Sequence, residues 1–156
     1  MLTYVEDSLF DSPAQTLVNA VNTVGVMGKG VALTFPQMFP EMFAEYRRLC
    51  AEGALQIGQL HLYRGPQKNV LNFPTKEHWR SPSRPEYIEA GLRTLVASYE
   101  SWGITSLALP LLGCGAGGLD YPAQVLPLFE SYLSTLSIPV FIHTHGGVSP
   151  PAARRG

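Results

Sequence analysis

The sequence contains little charge and only two cysteines. Of its 156 residues, 11 are Lys or Arg and 12 are Asp or Glu, which gives a net charge of −1 with neutral histidines. This balance argues against broad, nonspecific binding of polyanions, so any contact with nucleic acid must come from a local basic patch. Neither Cys50 nor Cys114 has a His or Cys partner at metal-ligand spacing. We therefore expect free thiols, no zinc site and no cofactor.

Long apolar runs and a secretion signal are also missing. No stretch approaches the ~20 apolar residues that span a bilayer, and residues 1–7 lack both a basic region and an apolar core. These absences predict a cytoplasmic protein without membrane contact. The length predicts a single domain that buries roughly two-thirds of its unfolded surface. We place this domain at residues 1–145, because residues 146–156 have the composition of a linker. We expect a monomer.

Apolar patterning alternates between strands and helices along the chain. Short apolar runs predict strands at 1–6, 16–21, 59–64, 69–74, 106–112 and 138–143. Helical spacing predicts helices at 26–35, 40–53, 86–102 and 121–136, the first of them stopped by Pro36. This order indicates an α/β fold, a mixed central sheet with helices on both faces. In such sheets ligands bind at the carboxyl ends of the strands.

Two glycine-rich stretches, at 19–30 and 111–118, each follow a predicted strand and precede a predicted helix. Backbone N–H groups in such loops can form a concave anion site without basic side chains. Neither stretch fits a P-loop, and Gly113-x-Gly115-x-x-Gly118 lacks the acidic ribose ligand of a dinucleotide fold. Tight structural turns are the alternative for each loop taken singly. The two loops together predict a bound diphosphate.

The residues around these loops resemble a macrodomain. The matching features are a strand ending in Val18-Asn-Ala-Val-Asn22, the loop Gly28-Lys-Gly-Val-Ala32, and a strand at 107–112 followed by Gly-Cys-Gly. The resemblance covers the chain to about His143. It implies an α/β/α sandwich that binds ADP-ribose, with the diphosphate and distal ribose between the loops at 22–31 and 113–119.

The implied ADP-ribose contacts lie at these two loops and after the first strand. They are Ser8, Leu9, Asn22, Thr23, Gly28, Lys29, Gly30, Val31, Leu112, Gly113, Cys114, Gly115, Ala116, Gly117, Gly118 and Leu119. Macrodomains commonly read the adenine amino group with an Asp before two apolar residues. Here the pair Leu9-Phe10 follows Ser8 instead. For Cys114, a small side chain packed beneath the loop is favoured over a nucleophile.

The segment 72–81, Asn-Phe-Pro-Thr-Lys-Glu-His-Trp-Arg-Ser, resembles the DarG antitoxins. In that family the macrodomain removes ADP-ribose that the toxin DarT attaches to thymidine in single-stranded DNA. The resemblance implies this DNA ADP-ribosyl glycohydrolase activity, with water as co-substrate and ADP-ribose as product. Contact with a DarT toxin would use a further domain that is absent from this chain. Terminal ADP-ribose protein glycohydrolases are similar, and they use a lysine at the position of Lys76.

Three residues are candidates for the chemistry. Lys76 can trap the anomeric carbon only if its amine is neutral, which requires desolvation or a nearby cation to lower its pKa from ~10.4. Asp120 can move a proton, although it also suits a helix N-cap. Asn22 can orient the distal ribose, with a turn-stabilising role as the alternative. A surface lysine is the alternative for Lys76.

A possible DNA-binding surface lies next to Lys76. His78, Trp79, Arg80 and Arg84 combine stacking surfaces with positive charge, which suits an unstacked nucleotide. Taken alone, Trp79 would more often be core, and the arginines would more often be solvated. We interpret His143 and His145 as structural or as part of an adenosine rim. Two further functions remain open: removal of ADP-ribose from protein Glu or Asp, and ADP-ribose binding without catalysis.

Overall fold

A computed structural model describes residues 2–27 and 31–144 of the chain, with no side-chain description for Val31 and Ala32. A six-stranded sheet has the order β1-β6-β5-β2-β4-β3. All strand pairs are parallel except β3 with β4. The strands are β1 (Leu2–Val5), β2 (Thr16–Asn22), β3 (His61–Arg64), β4 (Asn69–Lys76), β5 (Leu107–Leu109) and β6 (Val140–His143). The predicted mixed sheet is confirmed.

The helices cover both faces of this sheet. They are α1 (Val31–Met38), α2 (Pro40–Ala51), α3 (Pro85–Ser98) and α4 (Leu126–Leu133). A 3-10 turn at Leu9–Asp11 and a π-helical turn at Tyr121–Val125 precede β2 and α4. Among the described residues, no helix is long and apolar enough to cross a membrane.

Successive residues of the central strands enter different cores, because side chains alternate across a strand. Leu17 of β2 packs with α1 and α2, while Val18 packs with α3 and α4. Val70 and Leu71 of β4 divide in the same way. Both faces of the inner strands are therefore buried, which explains why these strands are continuously apolar instead of alternating.

Prolines account for the main differences from the predicted boundaries. Pro36 lies inside α1, which continues to Met38, so the prediction that Pro36 ends the helix was wrong. Strand β5 ends at Leu109, directly before Pro110, and not at Leu112. Strand β4 instead passes through Pro74 to Lys76, and the pairing with β2 shifts there from Val21↔Pro74 to Asn22↔Lys76. Such an irregularity accommodates a proline that has no N–H to donate.

Candidate functional site

The carboxyl ends of the parallel strands lie at one edge of the sheet, and the predicted site residues follow them there. Asn22 at the end of β2 is the register partner of Lys76 at the end of β4. The second glycine loop follows β5, which pairs with β2 on the side opposite to β4. The structure therefore brings together the first loop, the Lys76 segment and the second loop. Gly28, Lys29, Gly30 and His145 lie outside the described residues, as does the predicted tail at 146–156.

Asn22 organises the start of the first loop. Its Oδ1 accepts hydrogen bonds from the backbone N–H groups of Val24, Gly25 and Val26, at 3.0, 3.1 and 3.3 Å. Its Nδ2 donates to the carbonyl oxygen of Val26 at 2.9 Å. Gly25 completes the turn with φ at +88°, a conformation that a side chain would strain. The geometry thus shows the turn-stabilising role of Asn22, and a contact with ribose stays a prediction.

Tyr46 of α2 stabilises Asn22 through its hydroxyl, a contact that no sequence pattern indicates. Its hydroxyl lies 2.8 Å from the carbonyl oxygen of Asn22 and 2.9 Å from Oδ1, so it donates into this pair of acceptors. Tyr46 is fully buried, and burial raises the pKa of its phenol. Helical spacing signalled that Tyr46 faces the core, but nothing in the sequence signals which acceptor its hydroxyl meets.

The segment 76–84 is attached at both ends to the glycine loops. At one end Thr23 of the first loop donates to the carbonyl oxygen of Glu77, through its backbone N–H at 3.3 Å and its Oγ1 at 2.8 Å. At the other end the N–H of Ser83 donates to the carbonyl oxygen of Gly117 at 3.0 Å. Lys76 therefore lies on a segment whose position both loops determine.

Lys76 and the predicted DNA-binding residues lie on this segment. The Lys76 side chain is partly buried, and its Nζ donates to the carbonyl oxygen of Trp79 at 3.2 Å. The Trp79 side chain is 41% exposed, so it is not a core residue. His78 stacks on Trp79 with ring centroids 5.4 Å apart, and the Arg80 guanidinium lies 4.4 Å from the Trp79 ring centroid. Arg84 is exposed at the start of α3.

The second loop keeps part of its backbone unpaired. The N–H groups of Cys114, Gly118 and Leu119 donate to carbonyl oxygens within the loop or just before it. Within the described part of the chain, the N–H groups of Gly115, Ala116 and Gly117 have no acceptor. Three successive amides of this kind can bind an anion. The remaining predicted contacts, Leu112 and Gly113, are buried at the base of the loop.

Glycine at position 117 is required by close packing. A Cβ there would lie 2.3 Å from Ser83 Oγ and 2.6 Å from the carbonyl oxygen of Gly113. Gly113 and Gly118 instead have φ values of +77° and +81°, which favour glycine for conformational reasons. The loop therefore packs tightly against the 76–84 segment.

Cys114 lies in the second loop, and Asp120 follows the loop. Burial, together with the neighbouring carboxylate of Asp120, raises the pKa of the Cys114 thiol to about 12. The thiol therefore stays protonated near neutral pH, as the packing interpretation predicts. Asp120 Oδ2 accepts a hydrogen bond from the N–H of Ala123 at 3.1 Å, so Asp120 is the N-cap of the π-helical turn.

Ser8 and Leu9 follow β1, next to the end of β6. The Oγ of Ser8 accepts a hydrogen bond from the N–H of Phe10 at 3.3 Å, and Leu9 is buried. His143 Nδ1 lies 2.9 Å from the carbonyl oxygen of Asp7, while His143 Nε2 is buried and has no hydrogen-bond partner among residues 2–27 and 31–144. His143 thus has a structural contact at the edge where the adenosine rim was predicted.

Comparisons with known proteins identify this arrangement. The Macro domain family model matches residues 18–125. The chain belongs to the macrodomain family. Its fold therefore agrees with the α/β/α sandwich that the sequence resemblance implied.

Relatives with DarG names match this macrodomain over nearly its whole length. It is 44% identical over 147 residues to a DNA ADP-ribosyl glycohydrolase of Thermus aquaticus, across 92% of this chain and 41% of that protein. It superimposes on the solved macrodomain of Thermus aquaticus DarG with a TM-score of 0.86 and 45% identity, covering 92% of this chain and 97% of that one.

The structure titled Thermosipho africanus DarTG in complex with ADP-ribose gives a TM-score of 0.90 and 39% identity, across 98% of this macrodomain and 44% of that chain. The macrodomain spans less than half the length of the curated DNA ADP-ribosyl glycohydrolases that it matches. The resemblance to the DarG branch is confirmed.

Proposed function

We propose that this macrodomain hydrolyses the bond between ADP-ribose and a base of single-stranded DNA, and that it thereby acts as an antitoxin to a DNA ADP-ribosyltransferase. The observation that carries the proposal is the position of Lys76, on a segment hydrogen-bonded to both glycine loops. The names of the relatives called DNA ADP-ribosyl glycohydrolase support the DNA substrate. We further propose thymidine as the modified nucleoside and a cytoplasmic location.

The proposed binding mode uses both loops. The amides of Gly115, Ala116 and Gly117, which have no acceptor among the described residues, receive the diphosphate. The first loop, which begins at Asn22, faces it from the neighbouring strand end. Hydrogen bonds from backbone N–H groups need no basic side chain, which agrees with the nearly neutral charge of the chain. The adenosine then extends toward Ser8 and Leu9 at the end of β1.

The proposed chemistry takes place at the anomeric carbon of the distal ribose. Cleavage of the glycosidic bond gives that carbon oxocarbenium character. A neutral Lys76 amine can trap it in a covalent adduct, whose carbon–nitrogen bond water then hydrolyses to free the lysine, or water can add to the carbon directly. The departing base nitrogen takes up the proton that the attacking water gives up, and Asp120 is the proposed carrier of that proton, since its N-cap bond engages Oδ2 and no bond to Oδ1 occurs among the described residues. Water ends as the new hydroxyl of ADP-ribose, and the reaction needs no metal or organic cofactor.

The exposed side chains of His78, Trp79 and Arg80 beside Lys76 suit the DNA part of the substrate. Trp79 offers an accessible aromatic surface, and Arg80 places a cation against it. A nucleotide next to the modified one can stack there while its phosphate meets Arg80 or Arg84. A duplex would hide its bases from such a surface, so we propose a single-stranded substrate.

Incubation with a single-stranded oligonucleotide that carries ADP-ribosylated thymidine tests this function. We expect release of ADP-ribose and recovery of unmodified DNA by the wild type. Lys76→Ala is expected to lose about 10²-fold or more in rate while still binding ADP-ribose. Lys68→Ala serves as the matched control. Lys68 lies just before β4, at the opposite end of that strand from Lys76, and its amine donates to the carbonyl oxygens of Ser12 and Ala14.

Three outcomes would contradict the proposal. Intact modified DNA after long incubation with excess protein, combined with ADP-ribose binding, would identify a non-catalytic reader. Faster release from a protein modified on Glu or Asp would identify a protein hydrolase. Unchanged activity in Lys76→Ala would show that the lysine assignment is wrong.

A further inference from the structure

We infer that Thr23 is a positioning residue for Lys76, acting through the backbone of Glu77 instead of touching the ligand. This inference rests on the proposed function and deepens it. The sequence resemblance placed Thr23 among the ADP-ribose contacts. In the structure its hydroxyl donates to the carbonyl oxygen of Glu77 at 2.8 Å, so the hydroxyl hydrogen is already used.

The pairing of β2 with β4 explains why this hydroxyl matters. The two strands pair regularly from Thr16↔Asn69 to Val21↔Pro74, and the register then shifts so that Asn22 lies opposite Lys76. Pro74 has no N–H to donate to a neighbouring strand at this place. The ladder is thus irregular just before Lys76, and the contact between Thr23 and Glu77 extends the attachment of the two segments one residue beyond the pair Asn22↔Lys76.

Two hydrogen bonds attach Thr23 to Glu77, and a third bond holds Glu77 to α3. The carbonyl oxygen of Glu77 accepts from both the N–H and the Oγ1 of Thr23. The Glu77 carboxylate accepts a hydrogen bond from the Tyr87 hydroxyl of α3 at 3.2 Å. Glu77 is therefore held by the first loop and by α3, and the adjacent Lys76 has its backbone position determined by these bonds.

Loss of the hydroxyl should therefore affect the reaction more than it affects ligand binding. Valine has nearly the shape of threonine but leaves only the N–H bond to Glu77. A displacement of about 1 Å at a reacting group can cost about 10²-fold in rate. Serine keeps the hydroxyl and should keep the position of Lys76.

The test compares wild type, Thr23→Val and Thr23→Ser, with Thr23→Ala as a second variant if valine is not tolerated. For Thr23→Val we expect kcat on ADP-ribosylated single-stranded DNA to fall roughly 10- to 100-fold. The Kd for free ADP-ribose, measured by calorimetry, should stay within about threefold of wild type. Thr23→Ser should restore kcat to within about threefold of wild type.

A second measurement does not depend on activity. The amine of Lys76 is labelled with a limiting amount of an acylating reagent, and its labelling is divided by that of Lys68 in the same sample. This ratio should change in Thr23→Val and match the wild type in Thr23→Ser, because only valine removes the hydroxyl bond that helps to hold the segment carrying Lys76.

The outcomes separate the two proposals. A large loss of ADP-ribose affinity in Thr23→Val with kcat intact would show that the hydroxyl contacts the ligand, and it would overturn the inference. The inference would also be overturned if the valine and serine variants both behaved like wild type. If wild type cleaves no modified DNA, the proposed function fails, and the labelling ratio decides the inference. An unchanged ratio in Thr23→Val would then overturn it.

Discussion

Removal of the Tyr46 hydroxyl should destabilise the protein although the phenyl ring stays in place. In Tyr46→Phe the carbonyl oxygen of Asn22 loses a side-chain donor at 2.8 Å, and the other side-chain donor near it among the described residues is Cys50 Sγ, a weak contact at 4.0 Å. Asn22 Oδ1 loses the same donor but keeps its bonds to backbone N–H groups of the loop. A buried acceptor left without a strong partner costs about 1–3 kcal/mol.

For a domain of this size, that loss corresponds to a decrease in Tm of roughly 2–4 °C per kcal/mol. Urea unfolding followed by fluorescence gives the free energy directly. Tyr63→Phe is the matched control, because Tyr63 is also buried but its hydroxyl makes no hydrogen bond within the described part of the chain. The control should lie within about 0.5 kcal/mol of wild type. Equal free energies of unfolding for the two variants would refute the role assigned to the Tyr46 hydroxyl.

Two further predictions concern the core and the second loop. Gly91→Ala should lower the free energy of unfolding by about 1–2 kcal/mol, because the new Cβ would lie 2.3 Å from a Phe73 ring carbon. This overpacking outweighs the gain in helix propensity. A variant that is more stable than wild type in urea would contradict the prediction. Cys114 should resist iodoacetamide at about pH 8, where a pKa of about 12 leaves a thiolate fraction near 10⁻⁴. Asp120→Asn removes a charge that raises this pKa, so mass spectrometry should show faster alkylation, and a slower rate would count against the assigned cause.

Local patterns were sufficient for most of the fold. Strands and helices were predictable because short apolar runs and the helical period of 3.6 are properties of residues close together in the chain. The exceptions involve proline. A proline within a short helix such as α1 is tolerated when tertiary packing supports it, and the shift between β2 and β4 lets Pro74 lie inside a strand. Neither condition can be read from neighbouring residues.

Part of the candidate site was predictable for the same reason. The two glycine loops and the motif around Lys76 are continuous in sequence, and their meeting at one sheet edge follows from parallel pairing. The ligand contacts named in these loops stay predictions. Trp79 shows the limit of residue type alone, because an isolated tryptophan favours the core, yet this one is exposed.

The sequence by itself thus determined the fold class, the two glycine-rich loops and the candidate lysine, all of which depend on short-range patterns or on family motifs. Only the tertiary structure decided which atoms hold that lysine in place. The bonds from Tyr46 to Asn22 and from Thr23 to Glu77 join residues 24 and 54 positions apart in the chain. A hydroxyl has no periodic signature that names its distant acceptor, so its partner is known only after the strands and helices have packed together.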